Sequence, residues 1–386
     1  MSVQFRLGRN DHRVTEDFLS RTPRATSAIT LDPKAARYQA AAAEAARDHG
    51  ISVFVEPCTE RLTDAGFGLD AYPMWAGAPY NTDALAADPR LRLDLVARTI
   101  AAHPDVATHI TAPHFFVDND RSARLNVDLA EMTLIQAGKP VRAVLTISNK
   151  YAGAHAAELA SEYASAGITV LELRLSPFGG EDESLKKIRD GFATAQAFTD
   201  AGLSVTLGQS GNLGQVAVAL GHVEAYSVGI GLLVESVNHA SVVSRQKTPP
   251  KPRSKDEPGG GPVPGIYLNG IALTAPPRVA KLLLGHSDLR IRVGCREGRC
   301  GTSVRGPLVD TRDHYLHSRD SHMGRLLDQP KGWRPTSEID RLRAAFSLRE
   351  HINTNYLGSD ALELPALKTR TLSSLISDIE SVRSAS

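Results

Sequence analysis

Charged side chains alternate with leucines in the run ITVLELRL at residues 168–175. Because neighbouring residues of a β-strand point to opposite faces, Leu171, Leu173 and Leu175 share one face, and Glu172 and Arg174 share the other. A carboxylate on such a face can act as a general acid or base. A guanidinium matches a phosphate or a carboxylate in shape and charge. This run therefore predicts a polar pocket beside an apolar packing face.

The same alternation places reactive groups on the polar faces of other strand-like runs. These groups are Glu56, His109, Lys150, Asn269 and Arg292. The predicted catalytic residues are Glu172, Glu56 and His109, which can act as acid–base groups, and Lys150, which can form a Schiff base.

Anion binding is the role predicted for the remaining polar positions. Arg174, Asn269 and Arg292 are expected to contact an anionic substrate, because guanidinium and amide groups donate to phosphate and carboxylate oxygens. GQSG at 208–211 begins a helical pattern, so Gln209 is expected at an anion-binding helix start. The alternative is an internal salt-bridge network, for instance Glu172 with Arg174 or Arg292.

A second group of residues has the chemistry of a metal site. Cys295 and Cys300 lie in GCREGRCG, and histidines follow in DTRDHYLHSRDSH. Thiolates and imidazoles can complete a tetrahedral zinc site, and His314 and His317 are the predicted partners of the two cysteines. We expect such an ion to have a structural role, although two loop cysteines and surface histidines are an alternative.

Elements that could position these residues alternate along the chain. The strand candidates are residues 52–56, 106–111, 141–148, 168–175, 204–208, 225–229, 265–269 and 289–293, with 25–31 as a further run. Helical patterns at 34–49, 91–102, 153–166, 184–201, 213–220 and 277–284 separate several of them. This alternation predicts a (β/α)8 TIM-type barrel with a long late insertion and a C-terminal helical extension, and an open doubly wound sheet is the alternative.

Three regions are expected along the chain. Residues 1–295 form the main body of the barrel, with a flexible loop rich in Pro, Gly and Lys at 244–264. Residues 296–335 are expected to be an irregular Cys/His/Arg-rich insertion that carries the zinc site. Residues 336–386 are expected to form helices that pack on the barrel.

Composition excludes several classes of protein. The 386 residues carry a net charge of +1, so no overall basic field favours nucleic acid, although local basic segments could bind RNA or DNA. Three cysteines are too few for a disulfide framework. No apolar run is long enough for a membrane span and the N-terminus lacks a signal-peptide core, so we expect a cytoplasmic protein without a membrane partner.

The order of features from Thr206 to His322 resembles the second half of tRNA-guanine transglycosylases. GQSG is followed by AYSVGIGLLVES, a loop, IYLNGIALTAPPRVAKLL and a Cys/His segment. The resemblance implies a barrel with a late zinc insertion, in which Gln209 and Gly229 to Gly231 contact a nucleobase. It also implies that Cys295, Cys300 and a following histidine hold zinc. The aspartate nucleophile of that family has no counterpart here, since VGCREGRC stands at that place.

Three functions follow as hypotheses. The first is a barrel enzyme, such as a transferase, acting on a nucleobase-containing or other anionic substrate, which predicts a loss of activity in Glu172→Gln. The second is a Schiff-base lyase or aldolase that uses Lys150. The third is a non-catalytic barrel in an assembly or defence system, whose lumen charges pair with one another.

Overall fold

Eight parallel strands form a nearly closed barrel, as the sequence predicts. The computed structural model describes residues 1–230, 235–249, 265–301, 306–357 and 365–385. The barrel strands are β1 (Ser2–Arg6), β2 (Thr26–Leu31), β3 (Ser52–Val55), β4 (Ile110–Thr111), β5 (Val141–Ser148), β6 (Val170–Ser176), β8 (Ser204–Leu207) and β9 (Ala225–Gly229). β1 pairs with both β2 and β9, so the strands follow one another around the barrel in chain order.

The seam of the barrel lies between β3 and β4. There the backbone N–H of Thr108 donates to the carbonyl of Val53 over 2.9 Å, and the Val53 N–H donates to Oγ1 of Thr108 over 2.9 Å. Two short antiparallel sheets lie outside the barrel, one of β7 (Phe178–Gly179) with β10 (Ser236–Val237), the other of β11 (Ile266–Leu268) with β12 (Leu273–Ala275).

Helices follow the strands and cover the barrel. In the first part of the chain they are α1 (His12–Leu19), α2 (Ala40–Asp48), α3 (Thr82–Ala87), α4 (Pro89–Ala102), α5 (Asp120–Gln136), α6 (Asn149–Ser165), α7 (Leu185–Asp200), α8 (Gly211–Leu220) and α9 (His239–Lys247). In the last part they are α10 (Pro277–Gly285), α11 (Ser287–Val293), α12 (Gly298–Gly301), α13 (Thr311–Leu327), α14 (Arg334–Ile352) and α15 (Arg370–Ala385). Short turns of 3-10 or π helix connect several of them.

Side-chain capping sets the starts of several helices. Asn119 and Ser122 form a reciprocal capping box at the start of α5, and Ser184 accepts from the Lys187 backbone at the start of α7. Asp310 accepts from the backbone of Arg312 and Asp313 at the start of α13. Each cap supplies partners for backbone N–H groups that the first helical turn leaves unbonded.

The predicted alternation within the strands is confirmed. Leu171, Leu173 and Leu175 are buried in the core between the strands and their helices. Glu172 and Arg174 are also buried, on the opposite, lumen face of β6. The lumen is therefore lined by polar side chains.

Two predicted strands are not part of the barrel. Residues 289–293 lie in α11, where Leu289 and Val293 are buried and Ile291 is 70% exposed, the pattern of a helix rather than a strand. Residues 265–269 contribute β11 to a small sheet outside the barrel. The strand that completes the barrel is β1, whose residues 2–6 were not among the predicted strands.

A second core lies beyond the barrel. Its buried residues come from β11, α10, α11 and α14, among them Ile266, Leu283, Leu289 and Ile352. The last barrel strand ends at Gly229, and most buried residues of 266–295 pack in this second core, whereas Tyr267 and Ala272 pack in the barrel core. Residues 311–327, expected to be irregular, form the largely buried helix α13. The predicted flexible loop is helical up to Lys247, and its residues 250–264 lie outside the described part of the chain.

In the described part of the chain, no helix combines the length and the apolar character needed to cross a lipid bilayer.

Candidate functional site

Buried ion pairs fill the lumen of the barrel. The guanidinium of Arg174 donates to both carboxylate oxygens of Glu56, over 2.6 and 2.5 Å, and its Nε donates to Glu172 over 3.0 Å. Arg6 contacts Glu56 at 2.6 Å, and Arg142 pairs with Glu172. We call these five residues the lumen network. It contains three guanidiniums and two carboxylates.

Strand register explains why these side chains meet. Arg142 is the second residue of β5 and lies opposite Val170, so its side chain reaches Glu172 two positions further along the lumen face of β6, while Glu56 directly follows β3. Gly208 leaves the space that the network needs, because a Cβ there would lie 2.6 Å from Cγ of Arg174 and 2.7 Å from Oε1 of Glu172. The hydroxyl of Ser227 donates to Glu172 over 3.0 Å from β9.

A histidine and a third carboxylate extend the lumen network. His114 Nε2 lies 3.2 Å from Glu60 and 3.7 Å from Glu56. Glu56, Glu60 and His114 lie close enough together to be considered as metal ligands. Since Arg174 occupies both oxygens of Glu56, this group is better described as part of the ion-pair network.

Electrostatics favour the ionised form of Glu56. Burial by itself would raise its pKa, but Arg174 and Arg6 outweigh burial and hold the pKa of Glu56 well below its usual value. The pKa of Glu60 is also lowered, because His114 outweighs the effect of burial. A carboxylate held in this way stays charged and is a poor proton donor near neutral pH.

A cavity of about 240 Å³ lies at the C-terminal ends of the strands, where barrel enzymes place their chemistry. Its cationic lining comes from Arg6, Lys34 and Arg61, and its carboxylate is Asp32, directly after β2. Gln209 also lines it, with a left-handed backbone at φ 51°. We call this the mouth cavity. An anion is the ligand that this lining suits.

Contacts with neighbouring side chains hold the cationic groups of the mouth cavity in place. Lys34 Nζ lies 4.2 Å from the ring centroid of Tyr72, a cation–π contact. Arg61 donates to the Tyr72 hydroxyl over 3.3 Å and lies 3.8 Å from Glu60. Arg6 is fixed by Glu56, so the lumen network forms the floor of the mouth cavity.

The predicted catalytic residues lie in different places. Glu56 and Glu172 meet in the lumen network together with the predicted anion-binding residue Arg174. His109 precedes β4, at the N-terminal end of the barrel, where it packs on Phe54. Burial, and to a lesser extent Arg142, lowers the pKa of His109. The prediction of an inward Lys150 is wrong, because Lys150 is exposed in the first turn of α6.

The predicted substrate-binding residues also separate. Gln209 reaches the mouth cavity, and Gly229 ends β9 beside Arg6. The prediction that Asn269 and Arg292 face the lumen is wrong, because neither residue is in a barrel strand. Gly231 lies outside the described residues.

Several residues of the site were not found from the sequence. Arg142 has the same alternation signal as Glu172, since it shares the lumen face of β5 with Val144 and Thr146. Arg6 could be found only with β1 assigned as a strand. Asp32 and Lys34 follow a barrel strand directly, a position that is itself a signal once the strand is known.

The four predicted metal ligands are brought together by the fold. Cys300 Sγ lies 3.4 Å from His314 Nδ1 and 3.4 Å from His317 Nε2, and Cys295 Sγ lies 3.5 Å from His317 Nε2. We call these four residues the Cys/His cluster. Cys300 and His314 are buried, and Cys295 and His317 are half-buried. The described residues therefore contain a group able to bind a metal ion.

Each histidine of the Cys/His cluster has a partner for its other ring nitrogen. His314 Nε2 lies 2.6 Å from the Tyr267 carbonyl, and His317 Nδ1 lies 3.5 Å from Asp313. Such partners fix the tautomer and the ring orientation of metal-binding histidines. Hydrogen bonding with Cys300, His314 and His317 lowers the pKa of Cys295, so this sulfur is the first of the two to become a thiolate.

Comparison with known proteins gives distant similarities only. No family model and no curated protein matches the chain. The structure is similar to a 3-dehydroquinate dehydratase from Aquifex aeolicus VF5, with TM-score 0.36 and 10% identity over 63% of this chain and 96% of that one. It is also similar to the carboxyl transferase domain of Rhizobium etli pyruvate carboxylase, with TM-score 0.35 and 10% identity over 100% of this chain and 61% of that one. Both neighbours are enzymes, and neither is a tRNA-guanine transglycosylase.

Proposed function

We propose that this chain is a (β/α)8-barrel enzyme that binds an anionic small molecule in the mouth cavity. The observation that carries the proposal is the lining of this cavity, in which Arg6, Lys34 and Arg61 stand against the carboxylate of Asp32. An anion held by these cations would lie beside Asp32, which follows the second barrel strand. Asp32 is then the candidate general acid or base, and the cations are the binding groups.

The lumen network has a different role in this proposal. Glu172 is fully buried and does not line the mouth cavity, so its contacts support a positioning role for Arg174 and, through Glu56, for Arg6. The nucleobase contact that the transglycosylase resemblance implies would come from Gln209, on the wall of the cavity. Base exchange itself stays a prediction of that resemblance.

Thermal stability in the presence of anions tests the binding proposal. The anions are nucleoside monophosphates, sugar phosphates, dicarboxylates and short single-stranded RNA and DNA, and uncharged free nucleosides serve as the comparison. We expect at least one class of anion to raise the melting temperature, because a ligand that binds only the folded state stabilises it. Lys34→Ala and Arg61→Ala should weaken this effect, and Asp32→Asn should keep binding but lose turnover.

Arg13→Ala is the matched control, since Arg13 is an exposed arginine on α1 that does not line the cavity. The proposal fails if no compound stabilises the protein, or if the control weakens binding as much as Lys34→Ala does.

The third hypothesis, a non-catalytic barrel, is supported by one observation, the pairing of the lumen charges with one another. It predicts that Glu172→Gln lowers stability and leaves the biological function of the folded protein intact. The lyase hypothesis has no comparable support, since a Schiff-base lysine needs a desolvated pocket and Lys150 is exposed.

We also propose that the Cys/His cluster binds a structural zinc ion. With Zn–S of about 2.3 Å and Zn–N of about 2.0–2.1 Å, a regular tetrahedron has S···N edges of about 3.5 Å. The three measured S···N distances of 3.4, 3.4 and 3.5 Å fit this geometry. Four protein ligands leave no open position for a substrate, which is typical of a structural site.

Metal analysis of the purified chain tests the zinc proposal. We expect about one zinc per chain, since the site has one complete tetrahedral ligand set. Cys300→Ser should lose the metal, whereas Cys58→Ser should keep it, because Cys58 is a buried cysteine at the barrel mouth and not in the cluster. A metal-free wild-type protein that is folded, or equal metal loss in both variants, would exclude the site.

A further inference from the structure

A second cavity, of about 500 Å³, lies outside the barrel beside the Cys/His cluster. It is bordered by α11, α13, α14 and the turn at Asn269. It shares no lining residue with the mouth cavity. We call it the outer cavity.

Positive charge dominates the lining of the outer cavity. Arg292, Arg296 and Arg325 stand against one carboxylate, Glu297. That carboxylate already accepts from Arg325 over 3.1 Å and from the Ser321 hydroxyl over 2.6 Å. Glu297 is therefore already paired within the protein and does not neutralise the other two arginines of the cavity.

Arg292 and Arg296 remain exposed and uncompensated. Among the described residues, no carboxylate lies within ion-pair distance of either guanidinium, and both side chains are exposed. Burial, together with Arg341, Arg325 and Arg319, holds the pKa of His322 in the cavity wall well below its usual value. The imidazole is thus neutral, and the two free arginines are the binding groups.

A polar atom in the wall also lacks a partner. Asn269 Oδ1 is buried, and no donor among the residues that the structure describes reaches it. The adjoining Gly270 packs directly on the carbonyl of Arg292, where a Cβ would collide with the backbone of α11. The turn and α11 are therefore fixed against each other, and this contact sets the distance between Asn269 and Arg292.

We propose that the outer cavity binds a phosphorylated small molecule. The guanidiniums of Arg292 and Arg296 would donate to its phosphate oxygens, for which their planar forks are suited. Asn269 Oδ1 would accept a hydrogen bond from a hydroxyl or amino group of the same ligand. The volume of about 500 Å³ falls in the range of small-molecule sites and accommodates a nucleotide.

Calorimetric titration of the full chain with ADP and with inorganic pyrophosphate tests this inference. We expect both to bind, and Arg292→Gln and the double variant Arg292→Gln/Arg296→Gln to weaken ADP binding by about tenfold or more, as the loss of charge-assisted hydrogen bonds implies. Asn269→Ala should weaken ADP binding and leave pyrophosphate binding unchanged, because pyrophosphate has no donor for Oδ1.

Three controls separate the alternatives. Arg278→Ala removes an exposed arginine of α10 that does not line the cavity and should bind ADP as the wild type does. Because Arg296 is next to Cys295, the double variant is informative only if its metal content and circular dichroism match the wild type. If they do not match, the single variant Arg292→Gln tests the inference. The inference is overturned if neither probe binds, or if Arg278→Ala weakens binding equally. It is also overturned if Lys34→Ala, and not Arg292→Gln, abolishes binding, which would assign the anion to the mouth cavity alone.

Discussion

Glu56 is the carboxylate on which the lumen network converges. It accepts from Arg174 through both oxygens, contacts Arg6, and lies near His114. An isolated buried charge is costly, and removing one partner of a buried pair leaves the other uncompensated. Glu56 thereby neutralises arginines that would otherwise repel one another at the floor of the mouth cavity.

Glu56→Gln should lower the free energy of unfolding by about 3–5 kcal/mol at pH 7. Because Arg174 and Arg6 hold the pKa of Glu56 below its unfolded value, its stabilisation is fully present above the unfolded pKa of about 4.5. It is lost as the pH falls through the folded pKa. The difference between variant and wild type should therefore shrink below pH 4.5, as measured by urea denaturation at several pH values.

Glu44→Gln is the matched control for this prediction. Glu44 is an exposed carboxylate on α2, and a change there should alter stability by less than about 0.5 kcal/mol. A difference between Glu56→Gln and wild type that stays constant down to acid pH would contradict the role of Glu56 as an ionised partner.

Close packing of α8 on the barrel depends on a glycine. A Cβ on Gly214 would collide with the Ser210 hydroxyl and with Cβ of Tyr226 in β9. Both neighbours are buried, so neither can move away without disturbing the core. This helix reaches the strands only because position 214 has no side chain.

Gly214→Ala should destabilise the protein by about 1–3 kcal/mol, the usual cost of overpacking. Gly153→Ala is the matched control on α6, where a Cβ would meet nothing within 4 Å. It should stabilise the protein by about 0.5–1 kcal/mol, because alanine is the better helix former. Thermal denaturation of both variants measures the two effects, and equal shifts in the same direction would show that α8 does not pack as described.

The helix at residues 287–293 shows how a short run can fit two periodicities. Leu289, Ile291 and Val293 alternate as in a strand, but Leu289 and Val293 are also four residues apart, as on one helix face. Packing against α10 and the turn at Asn269–Ile271, within the second core, buries the latter pair and leaves Ile291 exposed.

At the scale of the molecule, Arg349 of α14 joins the barrel to the second core. Its guanidinium donates over 2.8 Å to each of the carbonyls of Ile271 and Ala272, and it also reaches the carbonyl of Lys368 and the carboxylate of Glu181. Glu181 follows β7, at the top of the barrel. This one buried side chain therefore connects segments from three distant parts of the chain.

Arg349→Met should loosen the second core and leave the barrel folded, because three carbonyls and a carboxylate lose their donor. Hydrogen exchange should become faster in α10 and α14 before it changes in β5 and β6. Arg343→Met is the control on the same helix, since the ion pairs of Arg343 are at the surface. Uniform acceleration in both cores would instead indicate that they unfold as one unit.

The side-chain periodicity of the strands is local, and for this reason it was readable without a structure. It was enough to predict the barrel, the inward direction of Glu56, Glu172 and Arg174, and the outward direction of the leucines. Side chains that can bind a metal were equally readable from the sequence. The fold brings together the four that were predicted, Cys295, Cys300, His314 and His317.

Only the tertiary structure decided which charges meet. Arg6 lies on a strand of 5 residues that pairs with both β2 and β9, and it meets Glu56 because β2 pairs in turn with β3, which Glu56 follows. Pairing of Glu172 with Arg142 and not with Arg292 likewise follows from the neighbouring positions of β5 and β6. Such contacts join residues far apart in the chain, so their partners cannot be derived from local periodicity. The lumen was predicted to be a substrate pocket. In the folded chain its charges pair with one another, and the mouth cavity lies above them.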